Sequence, residues 1–439
     1  MYRAIKSTII QSMQKFKTVI ALSSVSLLTP SVICGGCSSK TEQLTFPSFY
    51  VNTENEAPIV SKEDYVNCNV TIANTNSKYI LTNEKGKIRG RGNSTWIAGR
   101  KKPYKLKFNN KINLFGNGEA KEWTLLANYF DQSLIRNYLA FSVGSLFESQ
   151  PYTSSHEFVN LYLNNEYIGV YSICDQIETG KNRVDIESDL NSGPDTGYLL
   201  EMDFRAAEEG TEDINYVKIE NKDYTIKSPD MSEETKDYAA FIKNYILNCT
   251  IALNDLNWSQ VNNLIDAESF ADSYIVNEIF KTGDITCSSF FLYKKKNSKI
   301  FCGPFWDFDK SIGNCKDLEY GLKTLWASKN IWFNKLLKFN KFKNIIKSKL
   351  SNMYEIIKNE IEHKISKVLT YSKEFEQNFL KWNKVLGQIN IGNEVDNWWV
   401  TDELSRIETW IEHINFVKKY LFDSLDFVCK SYQVKIVNG

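Results

Sequence analysis

Apolar residues alternate in two stretches of this chain and recur every three or four positions in three others. Between residues 46 and 108 the alternation (Val70 and Ile72, then Ile80) is broken by turn signals such as Glu84-Lys85-Gly86, which predicts mainly strands. Within that stretch Tyr104, Leu106 and Phe108 share one face of an extended segment, and Lys105 and Lys107 share the other. A second strand-rich stretch covers residues 158–203 and is built around the hairpin signal Leu163-Asn164-Asn165-Glu166-Tyr167. Residues 123–146 have helical spacing, with Ile135, Leu139 and Val143 on one stripe and Asp131 as the expected N-cap. Residues 229–280 are again helical, and the last helix there is introduced by Asp266-Ala267-Glu268-Ser269. Two short apolar strands follow at 290–293 and 299–301, and residues 331–430 read as Lys- and Glu-rich helices with solvated faces. The pattern is that of an α+β chain, strand-rich in its N-terminal part and helical in its C-terminal part.

The chain has 439 residues, 42% of them hydrophobic, enough for one large domain or two. Basic and acidic residues balance at 53 each, so no global field directs the protein to nucleic acid or to an anionic membrane. The three histidines, His156, His363 and His413, are scattered without metal spacing. That argues against a Ser-His-Asp or Cys-His hydrolase and against a histidine zinc site.

The N-terminus has the layout of an export signal. Arg3, Lys6, Lys15 and Lys17 precede an acid-free apolar run over residues 18–33. The run ends in Cys34-Gly35-Gly36-Cys37, where small residues before a cysteine resemble a bacterial lipoprotein cleavage site. The expectation is a signal at 1–37 with cleavage before an acylated Cys37, then a polar tether at 38–45. This makes the chain an exported cell-envelope lipoprotein whose membrane contact is the lipid anchor alone. Cys34 stands where leucine is usual, and an uncleaved anchor or plain secretion are the alternatives. Seven further cysteines show no paired spacing and read as buried thiols, although Cys302 and Cys315 flank an acidic loop and could pair.

That loop, Gly303–Asn314, carries the strongest chemical signal. In an extended chain Asp307 and Asp309 project together while Phe308 packs behind them. Two exposed carboxylates on one face suit a hard cation such as Mg²⁺ or Mn²⁺, which takes one or two carboxylates and completes its shell with phosphate and water. Trp306 fits either an adenine stack or the core. Upstream, Arg89-Gly90-Arg91-Gly92 sets two cations on one side of a Gly-rich turn, and Lys102 and Lys105 follow closely. Each basic segment alone also fits a surface hairpin, and neither is a Walker loop. Phosphate-binding cations and an acidic metal pair are nevertheless the two halves of a phosphoryl-transfer site. A glycoside hydrolase would use two carboxyls ~5–10 Å apart, but it leaves the basic segments without a role.

The motifs Arg89–Trp96, Lys101–Phe108, Trp123-Thr-Leu-Leu-Ala-Asn128, Ser133-Leu-Ile-Arg-Asn137, Tyr162–Tyr171, Asn182-Arg183, Gly197-Tyr-Leu-Leu-Glu201 and Trp306-Asp-Phe-Asp309 occur in this order. Together they resemble the spore coat protein H (CotH) kinase family over residues 46–314, the helical C-terminal region fitting more loosely. The resemblance implies a divergent protein-kinase-like domain at 46–330, with residues 331–439 packed on it. It also implies ATP and a divalent metal as cofactors, and phosphorylation of a protein hydroxyl. In that reading Asp284, within Lys281-Thr282-Gly283-Asp284, lies near the acceptor hydroxyl, Asp307 and Asp309 lie at the metal, and Arg89, Arg91, Lys102, Lys105 and Trp306 bind the nucleotide. Ser289 occupies the place of a metal-binding Asn, and Asp175-Gln176 replaces the usual Glu-Gln and leaves room for a Lys–acid pair. ATP is scarce outside the cytoplasm, so the alternative is an inactive, surface-anchored structural or adhesive protein that keeps the fold.

Overall fold

The structure, a computed structural model, describes residues 45–191, 193–316, 321–382 and 401–435. The signal at 1–37, the lipidation candidate Cys37 and all but the last residue of the tether lie outside them.

Seven strands close into a barrel: β1 (Ser48–Thr53), β2 (Val66–Ala73), β3 (Leu81–Gly90), β4 (Tyr104–Asn113), β5 (Glu119–Leu126), β6 (His156–Leu163) and β7 (Glu166–Asp175). Neighbours run β1-β2-β3-β4-β5-β7-β6, and β6 returns parallel to β1, with Phe49 opposite Leu161. Alternation explains the packing. In β4 Tyr104, Leu106 and Phe108 are buried, while Lys105 and Lys107 both reach Glu122 on β5, at 2.5 and 2.6 Å. The β6–β7 turn is made by Asn164 and Asn165 at φ 50° and 63°, the left-handed pair a two-residue hairpin requires.

A second, fully antiparallel sheet has the order β12-β11-β8-β10-β9, from β8 (Tyr198–Met202), β9 (Tyr216–Ile219), β10 (Lys222–Ser228), β11 (Phe290–Lys294) and β12 (Ile300–Cys302). The helix Ala267–Phe280 is buried on every side, and Asp266 caps it by accepting from Ser269 N at 2.9 Å. Helices Asn340–Leu369, Ser372–Lys381 and Trp410–Ser431 put Ile346, Phe375 and Leu421 into the same core as Phe270 and Leu292. Among the described residues no helix is long and apolar enough to cross a membrane.

Three expectations change. Residues 123–146 are not one helical stretch: Trp123–Leu126 completes β5, and the helix is Arg136–Gly144. A continuous apolar run buried on both faces does not separate strand from helix by period alone. Asp131 is not the N-cap residue, yet its Oδ2 accepts from Arg136 N, in the first turn, at 2.9 Å. Cys302 and Cys315 do not pair, since every cysteine among the described residues is a free thiol.

Candidate functional site

The loop after β12 does not continue as a strand. Asp307 takes a left-handed φ of 66°, so its carboxylate reaches the cleft through a turn rather than through strand alternation. Phe308 is buried against Phe280, with ring centroids 5.5 Å apart. Its N–H donates to Asn137 Oδ1 at 2.8 Å. Arg136, fully buried and ion-paired with Asp131, donates from Nε to Ser311 O at 2.9 Å and from Nη2 to Ile312 O at 3.1 Å. Asn314 Nδ2 closes the loop on Asp309 O at 2.7 Å. The Ser133–Asn137 motif is therefore the mount on which the Asp-Phe-Asp stretch sits.

Asp284 comes from the turn after the buried helix. Lys281 ends that helix in the left-handed region (φ 51°), and its ammonium forms a buried pair with Glu278 at 2.5 Å. Glu278 Oε1 also accepts from Trp326 N at 2.7 Å, which ties the end of the helix to the chain 48 residues on. The Asp284 carboxylate meets Lys310 at 2.8 Å, and Ser289 Oγ donates to Asp307 Oδ2 at 3.0 Å.

These groups line one polar cleft of about 1150 Å³, together with Arg89, Arg91 and Lys105 from the barrel side. Arg91 lies 5.7 Å above the Trp306 ring, and Trp306 stacks on Phe141 at 5.8 Å. Trp306 is thus the platform under a guanidinium. Burial holds the Arg91 pKa below its ordinary value, opposed by nearby Asp307. Lys105 lines the cleft while paired to Glu122, but Lys102 is not part of the lining: its ammonium donates to Trp96 O at 2.5 Å. Asp175 takes Arg183 at 3.1 Å, so the anticipated Lys–acid pair at Asp175-Gln176 is an arginine pair.

The aspartate pair is half-buried on the cleft wall, not exposed. Burial raises the Asp307 pKa, and Asp284 adds to this. Burial also raises Asp309 well above the carboxylate range, with Asp307 and Asp284 adding and Lys310 opposing. Two carboxylates disfavoured as anions by burial and by the nearby charge of Asp284 fit a divalent cation, which would offset both effects. Among the described residues no three His, Cys, Asp or Glu groups cluster as a metal site. Two carboxylates suit an ion that draws its remaining ligands from phosphate and water.

Glu201, quoted in the sequence only as the end of the Gly197–Glu201 motif and given no role there, lies in the lining with Lys227 at 3.2 Å, and its pKa is raised chiefly by burial. Its signal was a lone acid inside the apolar strand Tyr198–Met202. Asp203 and Asn137 also line the cleft.

Residues 88–425, well over half of the chain, match the family model described as CotH kinase protein. No curated protein matches the chain.

Proposed function

Because the chain belongs to the CotH kinase family, we propose that it is an atypical protein kinase that transfers the terminal phosphoryl group of ATP to a protein hydroxyl. The observation that carries this reading is the convergence of Asp284, Asp307 and Asp309 with Arg89 and Arg91 on one cleft. The reading includes a divergent kinase-like fold, with the barrel side covering the phosphates and the helical side supplying the carboxylates.

Arg89, Arg91 and Lys105 hold the phosphates, and Trp306 keeps the Arg91 guanidinium in place. Asp307 and Asp309 would hold Mg²⁺ or Mn²⁺, which supplies charge neutralisation to the phosphate oxygens. Asp284 orients the acceptor hydroxyl and takes its proton, a task that is mostly positioning. Lys102 takes no part in this site. The export-signal pattern at 1–37 extends the proposal to a lipoprotein anchored through Cys37 and acting in the cell envelope. Calorimetric titration of the purified protein with ATP tests the reading: binding that requires Mg²⁺ or Mn²⁺ supports it. A folded protein that binds no nucleotide with either metal leaves the structural or adhesive role.

A further inference from the structure

Lys310 directly follows the Asp-Phe-Asp stretch and joins the two loops of the cleft at two points. Its carbonyl oxygen accepts from Gly283 N at 2.8 Å, and its ammonium lies 2.8 Å from Asp284 Oδ1. Ile312 N adds a third tie by donating to Phe280 O at 2.8 Å. Glycine is required at 283 for this approach, because a Cβ there would stand 2.8 Å from Lys310 O. The loops are thus already fastened through their backbones, and an ion pair is not needed to join them.

The Lys310 side chain is 17% exposed and lines the cleft. Its ammonium is held in the cleft by the ion pair with Asp284 at 2.8 Å. Lys227 and Arg205, cations of the second sheet and the loop that follows β8, are held by Glu201 at 3.2 Å and Asp203 at 3.0 Å. The phosphate-binding candidates Arg89, Arg91 and Lys105 all come from the barrel side. Lys310 places a positive charge 2.8 Å from the acceptor-side carboxylate Asp284, in the cleft that Asp309 of the metal pair also lines.

We propose that Lys310 is a further catalytic cation of this site, its ammonium aimed by Asp284 at the oxygens of the phosphoryl group in transfer. This rests on the phosphoryl-transfer reading above. In the step, the bond between the terminal phosphorus of ATP and its bridging oxygen breaks, and ADP leaves with the electron pair. The acceptor oxygen bonds to that phosphorus, and its proton passes to the Asp284 carboxylate. Negative charge is spread over the phosphoryl oxygens midway, and a fixed ammonium there stabilises that state more than the bound ATP.

The test compares wild type, Lys310→Gln and Lys310→Arg in MgATP affinity and in single-turnover phosphoryl transfer. Lys310→Gln should transfer ~10²-fold more slowly with ATP affinity within about threefold of wild type, and Lys310→Arg should recover at least ~10-fold of the loss. A folded Lys310→Gln that transfers at the wild-type rate overturns the proposal and leaves the kinase reading intact. A second measurement needs only the wild type: an acyl-phosphate derivative of ATP, whose acyl carbon is attacked by a lysine amine beside the terminal phosphate, expelling the nucleotide. Acylation of Lys310 that excess MgATP blocks supports its place at the phosphoryl group. Blocked label on Lys105 alone overturns the proposal, and no blocked label on any lysine overturns the nucleotide site itself.

Discussion

The N–H of Phe308 donates to Oδ1 of Asn137 at 2.8 Å, so the residue between the two cleft aspartates is held by the first turn of the Arg136–Gly144 helix. Removing that acceptor strands a buried N–H. Asn137→Ala should cost ~1–3 kcal/mol of stability in urea titrations. Its metal-dependent ATP affinity should fall by about tenfold as the aspartates lose their placement. Wild-type affinity in a destabilised Asn137→Ala protein would show that the helix holds the fold and not the site.

The carboxylate pair sets function against stability. Burial and the charge of Asp284 raise both pKa values, and Asp307 raises that of Asp309 further, so the ionised pair destabilises the metal-free fold. Asp307→Asn should abolish metal-dependent nucleotide binding, and Asp309→Asn should weaken it by as much or less. Both should melt at or above the wild-type temperature without metal. Metal affinity should also fall on acidification from a pH above the ordinary carboxylate range, because protonated carboxyls do not bind the ion. Calorimetric titrations across pH check this, and an unchanged affinity in Asp307→Asn would remove the metal from this pair.

Much of this site was legible in the sequence, for physical reasons that end at particular residues. Alternation in Lys101–Phe108 and the Asn164-Asn165 turn are local, and the barrel strands follow from them. Asp307 and Asp309 share the cleft as their spacing suggested, but through a left-handed Asp307 that alternation does not encode. The role of Asn137 depends on a partner 171 positions away, and no periodicity reports such a contact. Closure of the barrel by parallel β1 and β6 is likewise a long-range pairing. Lys102, three residues before Lys105, was an equal candidate for phosphate contact, but its ammonium is drawn aside to Trp96 O.

Glu178 lines the cleft with its pKa raised to about 7, by burial first and by Glu122 next, with Arg183 opposing. A carboxyl whose folded pKa exceeds its unfolded value of ~4.3 binds its proton more tightly when folded. Its contribution to stability therefore declines as pH rises from ~4.3 to about 7. Glu178→Gln should remove that decline, raising the melting temperature by about 1–2 °C near pH 8 and leaving it unchanged near pH 4. A variant less stable than wild type at pH 8 contradicts the assignment.

The envelope proposal has its own test. Metabolic labelling with a fatty acid should mark the wild type and not Cys37→Ala. Label retained by the variant would exclude Cys37 as the acylated residue.

Phosphoryl transfer oriented by Asp284 can be separated from nucleotide binding by measuring ATP affinity and transfer together in wild type and Asp284→Asn. A group that acts on the acceptor hydroxyl contributes little to holding ATP. Asp284→Asn should keep ATP affinity near wild type, with transfer to itself or to casein in Mg²⁺ or Mn²⁺ reduced ~10²-fold or more. Transfer by Asp284→Asn at the wild-type rate, or a wild type that binds ATP and transfers none, would contradict that role of Asp284.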